Sequence, residues 1–372
     1  MKIVFFTVNL EGGGVERVIS TLSSYFVLNK KCQITIITLQ NSASFYELPA
    51  SVSVKNLKFG ALCVGPGKIL FMPLLAMELC LVLRRIKPHT TLSFLVRPNL
   101  IHLMTKWLGN SAKVFVSERC NVEYDFPSGS PRSFIMRGLI RLFYQKADSI
   151  IAISKGVKES LESLGIPAKK ITVIHNPQHV DYIREKSREN SQIQTPANPF
   201  TVITVGRFYQ QKDHETLLEA FEKIRKTLDA HLIIIGNGPM EKALRRRSKT
   251  LGISESVSWI PWQTNPFAIM AKASLFVLPS RYEGFGNVLV EAMVCGLPIV
   301  STDCPSGPSE ILSNGEHGIL VPVGDSEAIA QASLGILQNK ALSEKMRKSG
   351  YRRADDFDVS VIGPKYLDVI SP

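Results

Sequence analysis

The chain lacks the cysteine and histidine patterns that mark disulfide frameworks and metal sites. Six cysteines occur in 372 residues, none of them in a C-x-x-C pair, and most lie in apolar segments. This usage indicates reduced thiols in a cytoplasmic protein rather than a disulfide framework. The seven histidines show no H-E-x-x-H or other ligand spacing, so we expect no structural or catalytic metal.

Long hydrophobic runs are also missing. The longest, ILFMPLLAMELCLVL at 69–83, is shorter than a membrane span and contains Pro73 and Glu78, so we do not expect it to cross a bilayer. The opening MKIVFFTVNL lacks the basic start, long apolar core and cleavage site of a signal peptide, and is typical of a buried first strand. With 45% hydrophobic and 20% charged residues, a chain of this length suits two folded domains.

Acidic residues are scarce only in the first half. Residues 1–177 hold 22 Lys and Arg against 10 Asp and Glu, whereas 178–372 hold 22 against 22, so the net charge of +12 belongs to the first half. Such a surface is either simply well solvated or faces a phospholipid headgroup, a lipid diphosphate or nucleic acid. No basic-aromatic RNA-binding string or zinc knuckle accompanies it, so we expect a membrane surface and no nucleic acid as partner.

Short apolar strands alternate with amphipathic helical stretches, which is the pattern of parallel α/β sheets. Strand-like segments in the first half are KIVFFTV, QITIITL, TTLSFL, KVFVSE and SIIAIS. After a polar, irregular stretch, a second series follows: FTVITVG, HLIIIGNG, VSWI, SLFVLPS and LPIVSTD. We therefore predict two doubly wound α/β domains, 1–177 and 200–355, joined by a connector at 178–199.

In open α/β sheets, ligands bind outside the carboxyl ends of the strands, and the first strand here ends in TVNLEGGGVERV. Backbone amides of Gly13 and Gly14, before a helix predicted to begin near Val15, suit a phosphate. A dinucleotide fingerprint would need a third glycine at Arg17, so that interpretation fails. A plain tight turn is the alternative.

The second strand end is VGRFYQQKDH at 205–214. Arg207 and Lys212 lie just past a buried strand and before a helix, and two cations five residues apart suit a diphosphate. Alternatively, they are ordinary surface charges.

The third strand end is RYEGFGNVLVEAM at 281–293, with Glu283 before a glycine turn. A helix predicted to begin near Asn287 places Glu291 about one turn further, a rise of about 6 Å. Carboxylates only accept hydrogen bonds, so the pair suits the hydroxyls on either side of a phosphate, which the amides at 286–289 would bind. A glycosidase-like acid–base pair competes but fits the nearby cations less well, and two exposed surface glutamates are the simplest alternative.

The fourth strand end is STDCPSGPSEIL at 301–312. It either closes the pocket or is an ordinary loop between a strand and a helix.

In this order, the four stretches resemble retaining glycosyltransferases of the GT-B fold, specifically the family-4 group that shares a glycosyl-transferases group 1 domain. The resemblance covers nearly the whole chain and is strongest over 200–325, in VGRF…QKDHETLLEAF, IIIGNGP, the EGFGNVLVEAMVCGLPIVSTDCPSGPSEIL run and GILVPVGD. Glu283 and Glu291 form its E-x7-E element. The resemblance implies two Rossmann-like domains facing across a cleft, and we expect a final helix at 356–372 to pack back on the first.

The resemblance also implies roles for individual residues. Arg207 and Lys212 would neutralise the donor diphosphate and stabilise its growing charge, Glu283 would bind hydroxyls of the sugar, and Glu291 would bind the ribose. Backbone amides of the turn would meet the phosphates, the nucleobase would lie at one strand end, and two glycines of the other domain would approach the phosphate and acceptor. The turn consists of Gly284, Phe285, Gly286, Asn287, Val288 and Leu289. The strand end near the nucleobase is Ile260 and Pro261, and the two glycines of the other domain are Gly13 and Gly14. No metal or other cofactor is implied.

One position departs from the family pattern. Many relatives carry histidine after the strand KVFVSE, whereas this chain has Glu118 followed by Arg119. Glu118 is expected to serve the acceptor or the sugar, and Arg119 to bind an anionic acceptor.

The amino-acid sequences of the third and fourth stretches are most similar to those of bacterial transferases for lipopolysaccharide, O-antigen, capsule and lipid-linked oligosaccharides. This implies transfer of a hexose or N-acetylhexosamine from a nucleotide sugar to a polyprenyl-diphosphate-linked glycan. A UDP-sugar is the favoured donor, and a GDP-sugar is the alternative. Arg84, Arg85 and Lys87 follow the apolar run, and RSFIMRGLIRLFYQK at 132–146 is a basic amphipathic segment. We therefore expect a peripheral protein on the inner face of the cytoplasmic membrane; helix core with a solvated rim is the alternative.

Two other functions fit the same fold. A nucleotide-sugar epimerase would release free sugar and UDP without an acceptor, and a non-catalytic scaffold of an envelope-assembly complex would release neither. Arg207, Lys212, Glu283 and Glu291 are all present, which argues against the scaffold.

Overall fold

The computed structural model describes residues 1–41, 43–63, 69–190 and 199–371. The chain divides into two compact units, each with its own parallel sheet. The first unit is Met1–Pro177 together with Val359–Pro372, and the second is Gln178–Asp358. The chain therefore leaves the first unit once and returns to it for one final helix.

Within the described ranges, the first unit contains a seven-stranded parallel sheet of order β3-β2-β1-β4-β5-β6-β7. Its strands are β1 (Lys2–Thr7), β2 (Gln33–Thr38), β3 (Ser53–Asn56), β4 (Thr90–Phe94), β5 (Lys113–Glu118), β6 (Ser149–Ala152) and β7 (Ile171–Val173). The central strands are buried almost throughout because helices cover both faces of a parallel sheet.

Seven helices of the described residues accompany this sheet. They are α1 (Gly14–Lys30), α2 (Met72–Ile86), α3 (Val96–Trp107), α4 (Val122–Asp125), α5 (Pro131–Tyr144), α6 (Lys155–Glu162) and the last helix of the chain, α15 (Val359–Ile370). Ile362, Tyr366 and Ile370 of α15 are buried in the same core as Phe5 and Phe26. The final helix therefore completes the first unit, with boundaries close to the predicted 356–372.

The second unit contains a six-stranded parallel sheet of order β10-β9-β8-β11-β12-β13 within the described ranges. The strands are β8 (Phe200–Val205), β9 (Ala230–Ile235), β10 (Val257–Ile260), β11 (Leu275–Leu278), β12 (Ile299–Thr302) and β13 (Ile319–Val321). The helices are α7 (Val180–Ser187), α8 (His214–Thr227), α9 (Glu241–Thr250), α10 (Phe267–Met270), α11 (Asn287–Val294), α12 (Pro308–Ile311), α13 (Ser326–Leu337) and α14 (Lys340–Ala354).

Both sheets reverse their strand order at one point, between β1 and β4 in the first unit and between β8 and β11 in the second. Doubly wound sheets bind ligands at this point, outside the carboxyl ends of the strands. The prediction of two doubly wound α/β units is confirmed, as is each strand-like segment quoted from the sequence. The sequence analysis missed β3, β7 and β13, which are edge strands of three or four residues with little or partial burial.

The predicted irregular connector at 178–199 is wrong over Val180–Ser187, which form α7. Val180 and Ile183 are buried, and the helix packs against α10 and α11 of the second unit. The surrounding charged residues hid this short apolar face in the sequence. Residues 191–198 lie outside the described ranges.

Candidate active site

The loop after β8 is packed tightly against the loop after β9. The Phe208 amide donates a hydrogen bond to the Asn237 carbonyl oxygen at 2.9 Å. Gly236 has a φ of 152°, and a Cβ on it would lie 2.0 Å from the carbonyl oxygen of Gly206. Glycine therefore permits a close backbone approach that fixes residues 207–212 at the carboxyl edge of the sheet.

The two predicted phosphate-binding cations, Arg207 and Lys212, both lie in this loop, but their side chains have different surroundings. Arg207 is exposed, and its guanidinium carbon lies 5.4 Å from the centre of the Tyr209 ring. Lys212 ends a short 3-10 turn, and its side chain is only 17% exposed. Arg207 is thus open to a ligand, whereas Lys212 is turned toward a carboxylate.

That carboxylate belongs to Glu283, which follows β11. Lys212 Nζ lies 2.5 Å from Glu283 Oε1, and the Glu283 side chain is 7% exposed. The Ser280 hydroxyl donates to the same Oε1 at 2.6 Å. Since β8 and β11 are the neighbours at which the strand order reverses, the fold brings together two residues predicted at separate strand ends.

Ser280 and Glu283 are held in place by the end of β12 and the loop that follows it. The Thr302 hydroxyl donates to the Ser280 carbonyl oxygen at 2.6 Å. The Glu283 amide donates to the Pro305 carbonyl oxygen at 3.1 Å. The carboxylate is therefore positioned through both its side chain and its backbone.

The same supporting loop, within 301–312, also meets the glycine turn. Gly307 has a φ of 110°, and a Cβ there would lie 1.9 Å from the Phe285 carbonyl oxygen. The Phe285 side chain is 2% exposed, and its ring centre lies 5.7 Å from that of Phe357. Phe285 thus anchors the turn in the core.

Helix α11 begins at Asn287, as predicted, with Gly286 as its N-cap at a φ of 99°. The Leu289 amide donates to the Gly286 carbonyl oxygen at 2.9 Å. This corrects the predicted set of free amides, because that of Leu289 is already bonded within the turn. Asn287 and Val288 are half-buried, so a ligand at this helix end would reach their backbone more easily than that of Leu289.

Glu291 lies in α11 four residues after Asn287 and is 6% exposed. The Cys295 amide donates to the Glu291 carbonyl oxygen at 3.0 Å. Burial chiefly raises the pKa of the Cys295 thiol, and the nearby charge of Glu291 adds to the rise. Ile260 ends β10 and is buried, and its carbonyl oxygen accepts from the Gly236 amide at 2.9 Å. Pro261, which follows it, is exposed at the same edge of the sheet.

Sequence reasoning missed a second ion pair in this region. Arg281 Nε lies 3.1 Å from Asp213 Oδ2, and the Asp213 side chain is 3% exposed. His214, the next residue, packs its ring 5.3 Å from that of Phe208. Burial, with a smaller contribution from the charge of Lys212, lowers the pKa of His214 to about 3, so the imidazole is neutral. The adjacency of Asp213 to Lys212 was the available signal.

In the first unit, Gly13 caps α1 and Gly14 is its first residue, at the carboxyl edge of the sheet. The Tyr46 hydroxyl donates to the Gly13 carbonyl oxygen at 3.2 Å. A Cβ on Gly13 would lie 2.4 Å from a carboxylate oxygen of Glu16, in the first turn of the helix. That carboxylate makes this helix end less favourable for a phosphate.

Glu118 ends β5 and is fully buried. Tyr144 donates its hydroxyl hydrogen bond to Oε2 at 2.6 Å, while the amides of Arg119 and Cys120 donate to Oε1 at 2.8 and 3.2 Å. Burial raises the pKa of Glu118 to about 7 even though these hydrogen bonds lower it. The predicted contact with acceptor or sugar does not match this placement, because both oxygens are turned into the unit.

Arg119 is also turned inward and is 5% exposed. Its Nη1 donates to the Tyr366 hydroxyl at 3.2 Å and to Ser117 Oγ at 3.3 Å, and the guanidinium carbon lies 5.6 Å from the Phe94 ring centre. Nε and Nη2 have no hydrogen-bond partner among the described residues. Arg119 therefore links β5 to α15 instead of projecting toward a ligand.

The second unit thus combines an exposed arginine, a lysine paired with a buried carboxylate, and a helix N-terminus at one sheet edge. These groups suit a diphosphate joined to a hydroxylated group. Among the described residues, no three His, Cys, Asp or Glu side chains cluster as metal ligands would. None of the described helices combines the length and apolar character needed to cross a bilayer.

Two family profiles match the chain. The profile described as Glycosyltransferase Family 4 matches residues 12–182, and that described as Glycosyl transferases group 1 matches 185–353. Over 359 residues the chain is 30% identical to the N-acetylgalactosamine-N,N'-diacetylbacillosaminyl-diphospho-undecaprenol 4-alpha-N-acetylgalactosaminyltransferase of Campylobacter jejuni, with 96% of each chain covered. The chain belongs to glycosyltransferase family 4.

Further relatives and solved structures agree with this assignment. The transferase is 28% identical over 230 residues to the lipopolysaccharide core biosynthesis glycosyltransferase LpsE of Rhizobium meliloti, covering 62% of this chain and 66% of that one. Its fold matches sucrose-phosphate synthase of Thermosynechococcus elongatus with a TM-score of 0.85, at 19% identity over 99% and 98% of the two chains. It matches HepE of Anabaena, solved with UDP and glucose, with a TM-score of 0.79, at 19% identity over 100% and 99%. The transferase therefore has the GT-B fold.

Proposed function

We propose that the transferase moves a hexose or N-acetylhexosamine from a UDP-sugar to a lipid-diphosphate-linked glycan, with retention of configuration and without a metal. The observation that carries this proposal is the contact between Lys212 and Glu283, which joins a phosphate-binding cation to a hydroxyl-binding carboxylate at one strand junction. Transferases of C. jejuni and R. meliloti with related sequences, named for lipid-diphosphate-linked glycans and lipopolysaccharide core, support the acceptor class.

In this proposal the bond from the anomeric carbon to the donor phosphate breaks as a bond to the acceptor oxygen forms on the same face. The acceptor proton moves to the leaving phosphate oxygen, and UDP departs. Arg207 and Lys212 stabilise the negative charge that grows on that phosphate. Glu283 orients the sugar through its hydroxyls, and Glu291 does the same for the ribose. Buried positioning of Glu283 by Ser280 reduces the reorganisation that the reaction requires.

The experiment is a turnover assay with a panel of UDP- and GDP-sugars, with and without a polyprenyl-diphosphate-linked glycan. We expect acceptor-dependent release of UDP, loss of turnover in Glu283→Ala, and normal turnover in Glu255→Ala, an exposed glutamate of the same unit. Equal UDP release without acceptor would indicate the epimerase instead. If the wild-type protein releases no UDP or GDP from any donor, with or without acceptor, the result would favour the scaffold.

We further propose that the first unit docks on the inner face of the cytoplasmic membrane. The outer face of α2 carries Leu74, Met77 and Leu81 at 37%, 54% and 55% exposure, and Arg84 and Arg85 follow in its last turn. This helix is apolar on its buried face as well, so its outer stripe is not explained by packing within the unit.

Helix α5 presents a second apolar and basic surface. Phe134 and Leu142 are 82% and 53% exposed. In the sequence of the helix, Arg137 lies between them and Arg141 directly precedes Leu142. Helix α3 packs against both α2 and α5, and its Trp107 is 58% exposed. Apolar side chains beside arginines are typical of surfaces that bind anionic lipids.

Co-sedimentation with phosphatidylglycerol-containing vesicles at low salt tests the docking. We expect binding that weakens with salt and falls roughly tenfold in the double variant Phe134→Ser/Leu142→Ser. Leu28→Ser, which removes a 72% exposed leucine from α1, is the matched control and should bind normally. Binding unchanged in the double variant would contradict this surface.

A further inference from the structure

A basic cavity of about 550 Å³ lies in the second unit, away from the donor site. Its walls are α7, α14 and the C-terminal end of α11 at Val294, together with the two residues that follow, Cys295 and Gly296. The donor site was placed at the opposite end of α11, and eight residues of helix separate the two ends by about 12 Å. The cavity therefore lies away from the helix end assigned to the donor phosphates, on the side of Cys295, whose amide donates to the Glu291 carbonyl oxygen at 3.0 Å.

Five cationic side chains and one carboxylate line this cavity: Arg184, Arg188, Arg347, Lys348, Arg352 and Glu344. Glu344 serves two of the cations, lying 4.0 Å from Arg347 and 3.7 Å from Lys348. Arg347 also donates through Nε to the Gly296 carbonyl oxygen at 2.9 Å. These two cations are therefore partly neutralised.

Arg184 has two carboxylate partners and an aromatic contact. It lies 2.7 Å from Asp355 and 3.5 Å from Asp181, and its guanidinium carbon stacks 4.4 Å from the Tyr351 ring centre. Its Nε is buried and has no hydrogen-bond partner among the described residues. The hydrogen-bonding capacity of this guanidinium is therefore not fully used by the described residues.

The side chains of Arg188 and Arg352 make no hydrogen bond or ion pair with any described residue, and both residues are exposed. Arg188 directly follows α7, and Arg352 lies in the last turn of α14, so the two side chains approach the same concavity from two elements. On a convex surface, separate arginines would simply be solvated. Gathered in a concavity, five cations against three contacting carboxylates create a positive potential that favours a multivalent anion.

We propose that this cavity is a binding site for a phosphorylated ligand, such as a free diphosphate compound or a phosphate-bearing lipid headgroup. Arginine forks bind phosphate oxygens in pairs, and two forks here are unpaired. The cavity has a volume typical of ligand sites and larger than a single phosphate needs, so it can hold a ligand with groups beyond its phosphate.

Binding of pyrophosphate and UDP, measured by calorimetry, tests the site. We expect one binding event that Arg207→Ala removes and a second that Arg188→Ala/Arg352→Ala weakens roughly tenfold or more. The control is Arg246→Ala, which removes an exposed arginine of α9 outside the cavity. Because the side chains of Arg188 and Arg352 have no hydrogen-bond or ion-pair partners among the described residues, the melting temperature of the double variant should equal that of the wild type.

Vesicles distinguish the two sources of phosphate. If the ligand is a lipid headgroup, Arg188→Ala/Arg352→Ala lowers binding to phosphatidylglycerol vesicles in a Phe134→Ser/Leu142→Ser background, with no second event for soluble phosphates. If the ligand is soluble, the second calorimetric event appears and vesicle binding is unchanged. The proposal is overturned if the double arginine variant matches Arg246→Ala in both assays, whether or not the transferase proves active on UDP-sugars.

Discussion

Lys212 and Glu283 are 71 residues apart in the sequence and form an ion pair of 2.5 Å at the point where the second sheet reverses its strand order. Each side chain is largely buried and satisfies the charge of the other. In the proposed reaction both must also contact the donor, one at the phosphate and one at the sugar. Donor binding would therefore exchange part of this pair for contacts with the ligand, and the pair keeps both groups in place until then.

A double-mutant cycle measures this pairing. We expect Lys212→Ala and Glu283→Ala each to lower the free energy of unfolding, because each leaves a largely buried charge unpaired. The double variant should be more stable than the sum of the two predicts, with a coupling of about 1 to 3 kcal/mol. Urea unfolding at pH 7 supplies the values, and additive effects would show that solvent screens the pair.

Arg207 is predicted to act through charge placed on the donor phosphate. Because it is exposed and makes no structural ion pair among the described residues, Arg207→Ala should leave the melting temperature unchanged. Its kcat/KM should fall by about 10²-fold or more, with partial recovery in Arg207→Lys. Arg246→Ala serves as the matched surface control, and a similar loss there would point to a nonspecific charge effect.

Gly307 supports the glutamate turn from behind. Gly307→Ala places a Cβ 1.9 Å from the Phe285 carbonyl oxygen, so the turn before α11 must move. We expect this variant to lose most activity and to melt at a lower temperature.

Gly324→Ala is the control for backbone strain, since Gly324 has a φ of 76° but nothing within 4 Å of the added Cβ. It should cost only about 1 to 2 kcal/mol and retain activity. If the two variants behave alike, the close approach at Gly307 does not matter for the site.

Glu118 makes the stability of the first unit depend on pH. Its folded-state pKa is about 7 against an ordinary 4.5, so between these values the folded chain keeps a proton that the unfolded chain has lost. Stability from this group is therefore highest below pH 4.5 and falls as pH rises to 7, by up to about 3 kcal/mol.

Glu118→Gln removes that titration while keeping a side chain that accepts from the two amides. The wild-type unfolding free energy minus that of the variant should decrease across pH 4.5 to 7 and level off above. Urea unfolding at several pH values, followed by a probe in the first unit, gives the difference. Parallel curves would mean that Glu118 is ionised at neutral pH despite its burial.

The sequence was most informative where one physical rule dominates. Strands buried on both faces are continuous apolar runs, so β1, β8 and β11 could be predicted, and with them the strand ends that carry Arg207 and Glu283. The exposed edge strand β3 has no such signature. Helix α7 was missed because its apolar face consists of two residues among charged ones.

Side-chain direction was the part that the sequence could not supply. Whether Glu118 turns toward a ligand or into the core depends on Tyr144, 26 residues away, which occupies its Oε2. The inward direction of the Arg119 side chain depends on its hydrogen bond to Tyr366, which lies 247 residues later in the last helix. The roles of Ser280 and Thr302 likewise depend on contacts between neighbouring strands, which no local pattern records.

The position of α15 has a consequence for the order in which the protein forms during synthesis. The second unit is continuous from Gln178 to Asp358, whereas the core of the first lacks Ile362, Tyr366 and Ile370 until after the second has been made. At ribosomal speeds of about 5 to 20 residues per second, the delay is roughly 10 to 40 s. During that time the nascent first unit exposes the apolar groove that α15 will fill, so the half of the chain made first is the half that finishes folding last.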